Sequence, residues 1–171
     1  MAMPWPNGGY SGPHILAYPD PPLTKTHYWR KCFPMSANIF PSLLIGLAGA
    51  AGTLLRYWVG LATMRWSQVL PWGTILINVT GSFAIAFFGT LTAASGRLPV
   101  SETGRLVFMV GLCGGYTTFS SFSLQTLDLL KNGTPGRALL NIGLSVVLCM
   151  ASVTAGYMAA QAINGLSDGK S

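Results

Sequence analysis

Between Gly111 and Ser123 the chain reads Gly-Leu-Cys-Gly-Gly-Tyr-Thr-Thr-Phe-Ser-Ser-Phe-Ser inside an otherwise apolar run. Paired glycines followed by β-branched and hydroxylated residues make a poor helix interior. Irregular backbone at membrane depth is tolerated only where protein, water or an ion satisfies the released groups. The segment therefore predicts a broken third helix whose inward carbonyls make a cation site. Phe119 and Phe122 are three apart and project from one side. The positive edge of an aromatic ring solvates an anion weakly without trapping it. Plainer accounts exist for each feature: lipid or core contact for the rings, and close helix packing through Gly111 and Gly115 for the glycines. Neither explains the five hydroxyl residues in the seven positions from Thr117 to Ser123.

Other polar residues fall where hydrocarbon should exclude them. Thr74 and Asn78 lie four apart, as do Asn141 and Ser145, and so share a helical face. An Asn amide carries two donors that lipid cannot satisfy; it either holds the bundle together or lines a polar path. Arg56 stands nine residues before Arg65, about 13 Å deeper at 1.5 Å per residue. An arginine at the centre of a span costs about 2.5 to 3.5 kcal/mol on insertion scales, so it snorkels or faces water, a partner or an anion. No acidic residue falls inside a span: Glu102 is in a loop, Asp128 at the end of the third helix, and Asp20 and Asp168 in the tails. A proton-coupled cation exporter needs a buried carboxylate, whereas the polar groups present here are donors, which favours an anion.

The elements that must carry these residues are membrane helices. Of the 171 residues, 50% are hydrophobic and 8% charged, against about 25% charged in a soluble domain, so a water-facing surface of ordinary composition cannot be built. The net charge of +6 comes from basic residues scattered singly rather than clustered on a polar face, which argues against nucleic acid. Three cysteines, Cys32, Cys113 and Cys149, give no disulfide framework. Four runs are long enough to cross about 30 Å of hydrocarbon: Phe40 to Met64, Val69 to Ala94, Thr103 to Leu130 and Arg137 to Ile163. Short connections marked by Arg65, Pro71, Arg97, Pro99, Asn132, Gly133 and Pro135 make successive helices antiparallel neighbours. The organisation expected is an irregular Pro/Gly-rich tail over 1–38, a four-helix channel domain over 39–163 and a short tail over 164–171. Met35 is an alternative start.

Orientation follows the basic residues in short loops. Lys25, Arg30, Lys31, Arg97, Arg105 and Lys170 fall on the side of the termini, and Arg65, Lys131 and Arg137 on the other. That places both termini in the cytoplasm. Counted from Met35 the sides carry three each and insertion loses its bias, which allows an antiparallel homodimer.

The residues resemble a known family. Ala48-Gly49-Ala50-Ala51-Gly52-Thr53-Leu54-Leu55-Arg56-Tyr57 is similar to the first-helix signature of the small fluoride channels called Fluc or CrcB. Trp72-Gly73-Thr74 with Asn78, Gly81, Ser82 and Phe83 resembles the second, and Gly111 to Ser123 the third. The match runs in order over about residues 40 to 160. The resemblance implies an all-α dual-topology homodimer in the inner membrane, with antiparallel subunits, two pores and one structural, untransported Na+ held by the carbonyls of Gly114 and Thr117 from each subunit. It implies a fluoride path through Phe119 and Phe122 with Asn78, Ser120, Ser121, Thr74 and Ser145 as a polar track, and Arg56 near the vestibule. Two departures stand out: Ser121 where the family often has Thr, and Gln125 where it is often acidic.

The function expected is a passive fluoride-selective channel, not an enzyme, with fluoride and the lipid bilayer as partners and no nucleic acid. The rivals are a small dual-topology multidrug exporter and a non-transporting membrane subunit. No Gly-x-x-x-x-Gly-Lys loop is present.

Overall fold

A computed structural model describes residues 39–93 and 96–168. The expectations on the N-terminal tail, on Met35 as a start and on Lys170 lie outside the described residues. Helix α1, Ile39–Thr63, runs into a 3₁₀ turn, Met64–Trp66. Helix α2 is Trp72–Leu91. The third span joins α3, Glu102–Leu106, to a π-helical stretch, Val107–Cys113, and a single turn, α4, Gly114–Tyr116; then comes α5, Phe119–Lys131. Helix α6, Pro135–Asp168, continues past the Ile163 boundary read from hydropathy. Four helical stretches, Ile39–Trp66, Trp72–Leu91, Glu102–Lys131 and Pro135–Gly165, are long and apolar enough to cross a membrane. Even the shortest, 20 residues, spans about 30 Å at 1.5 Å per residue.

Each connection ends its helices by local chemistry. After α1, Ser67 Oγ donates to the Thr63 carbonyl at 3.0 Å and accepts from the Gly73 N–H at 3.1 Å, closing the turn into α2. Ser101 caps α3 by accepting from the Gly104 N–H at 3.2 Å, with Glu102 in the first turn, where a carboxylate suits the helix dipole. Between α5 and α6 the chain reverses through Gly133 at φ 69°, a left-handed position that glycine occupies without strain.

The distribution of side chains is the reverse of a soluble domain. Among the described residues the buried polar side chains, Thr63, Thr74, Thr92, Thr118, Thr126, Asn141 and Ser145, outnumber the buried apolar ones, Leu70, Ile75, Ile77, Cys113, Ala138 and Ala160. Large apolar side chains such as Leu47, Trp58, Val110 and Leu139 face outward, as lipid requires. Helix α2 packs most extensively on α6, and α1 on the π-helical stretch and α4. The second packing is backbone on backbone. A Cβ on Gly115 would collide with the Gly49 carbonyl, one on Gly52 with the Leu112 carbonyl, and one on Gly111 would sit 2.8 Å from Ala48 Cβ. Gly111 and Gly115 thus serve the close helix packing that their spacing suggested.

Candidate functional site

Two residues separate α4 from α5, and both are extended: Thr117 at φ −77°, ψ 158° and Thr118 at φ −152°, ψ 112°. Helical geometry is lost inside a membrane-length span, and the Thr117 carbonyl and both backbone polar groups of Thr118 must find partners outside the ladder. Asn78, from α2, supplies two at once. Its Oδ1 accepts from the Thr118 N–H at 2.8 Å and its Nδ2 donates to the Thr118 carbonyl at 3.0 Å. The amide pairs with Thr118 as a neighbouring strand would. Thr118 Oγ1 then caps α5, accepting from the Ser121 N–H at 3.1 Å and donating to Ser121 Oγ at 3.0 Å, with Ser120 Oγ at 3.2 Å. On the other side, the Thr117 N–H and Oγ1 both reach the Cys113 carbonyl, at 2.9 and 3.0 Å.

Helix α1 supplies the remaining donors. Arg56 Nη1 donates to the Thr117 carbonyl at 3.4 Å, and Thr53 Oγ1 stands 3.5 Å from the Gly115 carbonyl while donating to Gly49 at 2.9 Å. In an unbroken helix the Gly114 carbonyl would accept from the N–H of residue 118, but that N–H is committed to Asn78. The Gly114 carbonyl is thereby released from the ladder.

The break borders a cavity of about 420 Å³, lined by Asn78, Gly114, Thr117, Thr118, Phe119, Phe122 and Ser145, with Ser82, Cys113 and Cys149 among the others. The Phe119 and Phe122 rings lie 5.3 Å apart at 48°. Phe119 is 78% exposed, so among the described residues the Phe119 side of this cavity is open. A second cavity of about 320 Å³ lies against the turn after α1 and is lined by Thr63, Ser67, Thr74, Ile77, Gln125 and Asp128 among others. Gln125 Oε1 is buried there without a hydrogen-bond partner.

The sequence-derived residues therefore divide. Gly114, Thr117, Asn78, Phe119, Phe122 and Ser145 line one cavity, and Thr74 lines the other, although Thr74 and Asn78 are one turn apart on α2. Ser120 and Ser121 line neither; they are bound up in the cap of α5. Arg56 borders the break from the α1 side. Two further residues bear on this geometry: Thr118, which was not among the candidate site residues, and Asn141, which the sequence marked only by its spacing from Ser145. Thr118, 7% exposed, is both the partner of Asn78 and the cap of α5; its position just before a new helical run is the usual signal for an N-cap. Asn141 is fully buried, with Nδ2 donating to Thr126 Oγ1 at 2.8 Å and Oδ1 unpaired. Thr126 in turn donates to the Phe122 carbonyl at 2.7 Å, so α6 holds the turn that carries Phe122.

Comparison with known proteins bears on what this arrangement is for. The family described as "CrcB-like protein, Camphor Resistance (CrcB)" matches residues 43–157. A protein of Methylobacterium radiotolerans named "Fluoride-specific ion channel FluC" is 60% identical over 123 residues, 72% of this chain and 86% of the relative. Proteins of the same name from Gluconobacter oxydans and Methylocella silvestris are 58% and 54% identical over 123 residues, covering 71% of this chain and 85% and 94% of their own.

Proposed function

The chain belongs to the CrcB family, and from that premise we propose that it is a multi-pass fluoride channel that lets the ion leave the cytoplasm passively across the inner membrane. Hydrogen fluoride is a weak acid that crosses lipid undissociated and ionises inside. A leak for the anion alone therefore lowers internal fluoride, and no energy source is needed. The absence of a carboxylate within the spans fits an anion path and disfavours a proton-coupled exporter.

The observation that carries this reading is the cavity bordering the Thr117–Thr118 break, which amide and hydroxyl donors and two phenylalanine rings line together with no acid among its lining residues. A small anion gives up hydration only if several groups replace it, each weakly enough to release it. Asn78 spends one of its two amide protons on the Thr118 carbonyl; the other is free to meet an anion, as is the Ser145 hydroxyl across the cavity. The Phe119 and Phe122 edges add weak positive potential without a full charge. Ser120 and Ser121 act by holding the cap that sets the direction of α5, and Thr74 continues the polar surface in the second cavity. Arg56 lends positive potential from the vestibule side.

The functional unit is an antiparallel homodimer. The exposure of Phe119 and the unwalled side of the cavity support it, since a second copy would close the path. The Gly114 and Thr117 carbonyls fit a structural Na+: neutral oxygens released by a helix break are ligands a hard monovalent cation accepts, and Gly114 lacks its helical donor. Bound there, the ion would neutralise carbonyls that the break exposes. The chain's own residues do the rest: Asn78 fixes Thr118, Thr53 reaches the neighbouring Gly115 carbonyl, and Arg56 donates to the Thr117 carbonyl itself.

The test is efflux from proteoliposomes holding only the purified full chain, under a potassium gradient with valinomycin. Rapid fluoride efflux with little chloride efflux is expected. Silence for both anions in a folded preparation would overturn the reading.

A further inference from the structure

Arg56 is a cation within a span and pairs with no carboxylate among the described residues. The chain's four acids are Asp20, Glu102, Asp128 and Asp168, all at or beyond the ends of spans. An intramembrane arginine needs a polar partner, and the one it has is backbone: Nη1 donates to the Thr117 carbonyl at 3.4 Å. The fold delivers it there. A Cβ on Gly52 would collide with the Leu112 carbonyl and lie 2.9 Å from the Tyr116 nitrogen, so α1 is pressed against the end of α4 at that level. Arg56 is one turn further along the same face, level with the point where Thr117 leaves the helix.

The carbonyl it meets is unclaimed by the helical ladder. In a continuous helix the Ser121 N–H would reach Thr117, but that N–H bonds Thr118 Oγ1 instead. The end of a helix also carries partial negative charge. One guanidinium thus occupies one of the two carbonyls assigned above to the sodium ion. A carbonyl has two lone pairs, yet two like charges at a single oxygen within the membrane repel strongly.

We propose that Arg56 is a tethered cation that competes with the mobile sodium ion for the Thr117 carbonyl, and so sets the sodium concentration the dimer needs. This rests on the sodium reading above. The guanidinium satisfies the break while the site is empty and is displaced as sodium enters. Arg56 is in this sense a positioning residue, acting on the backbone rather than on fluoride.

The experiment follows thermal stability of the purified full-length dimer in detergent as sodium is titrated against N-methylglucamine. Replacing the charge with a neutral donor, Arg56→Gln, should lower the sodium midpoint about ten-fold, the scale expected from removing a like charge beside the ion. Arg56→Met should do the same, and Arg56→Lys, which keeps the charge, should stay close to wild type. A midpoint that is unchanged or raised in Arg56→Gln overturns the competition, as does an equal fall in Arg56→Lys. If Arg56→Gln fails to assemble, the Met and Lys variants decide by the same criterion. Wild-type stability without any sodium dependence would instead remove the sodium reading, and this inference with it.

Discussion

Replacing Phe119 or Phe122 by Ile keeps the apolar bulk and removes the ring edge. If those edges carry the ion, either substitution abolishes or severely reduces fluoride efflux while the protein elutes on size exclusion as the wild type does. Unchanged efflux in both variants would take the rings off the path. Asn78 is a different kind of residue, because its Oδ1 and one amide proton already serve Thr118. Asn78→Ala leaves a buried N–H and a buried carbonyl unpaired, at about 1 to 3 kcal/mol each. It should cost stability and flux together, read as a lower melting temperature and slower efflux. Asn78→Asp keeps the acceptor for the Thr118 N–H but puts an acid on the cavity, and should lose flux out of proportion to stability. That Asn78 mattered was legible from its place in an apolar run. Its partner was not, because the choice between holding a helix and lining a path depends on what stands opposite, and only the packing of α2 against the break decides that. The same limit explains Thr74: helical spacing put it on one face with Asn78, but a 5.4 Å rise per turn is enough to move it to a different cavity.

The elements were the most legible level. Hydropathy placed the four spans within a few residues of Ile39–Trp66, Trp72–Leu91, Glu102–Lys131 and Pro135–Gly165, since hydrocarbon thickness fixes length and the Pro, Gly and basic residues mark the turns. The π-helical Val107–Cys113 stretch had no such mark, because its composition is that of any apolar helix. Its cause is tertiary: the stretch lies against α1 at backbone contact, with a Cβ on Gly111 reaching within 2.8 Å of the Ile45 carbonyl. Gly52→Ala should therefore be strongly disruptive despite being a good exchange for an isolated helix. The added methyl meets the Leu112 carbonyl, and overpacking of this kind costs about 1 to 3 kcal/mol; a lower yield of folded protein on size exclusion would report it. The cap of α5 offers a gentler probe. Thr118→Val removes a hydroxyl that accepts from Ser121, worth about 1 kcal/mol, and leaves the shape intact. A drop in melting temperature that Thr118→Ser restores would place the effect in the hydroxyl.

For the whole molecule the proposed antiparallel pair makes its own demands. Phe119 at 78% exposure is apolar surface that lipid would accept, so exposure alone does not choose between lipid and a second copy; the proposed anion path beside it calls for the second copy, because hydrocarbon cannot wall a path for an anion. An antiparallel pair requires that one sequence insert both ways, and insertion is governed by Lys and Arg in the short loops. From Met35 onward those charges balance, with Arg97, Arg105 and Lys170 against Arg65, Lys131 and Arg137. The balance can be tipped where the surface tolerates it. Leu98 and Val100 are exposed residues of the second loop, and Leu98→Lys with Val100→Lys should lock one orientation. Val69→Lys on the first loop with Gly136→Lys in the first turn of α6 should lock the other, since Val69 is exposed and Gly136 has open space around it. Each double variant expressed alone should reach the membrane but give no fluoride efflux, because only parallel pairs can form. The two expressed together should recover it. Efflux at the wild-type rate from either variant alone, with its single orientation verified by cysteine labelling from each side, would mean that the path is built without an antiparallel partner.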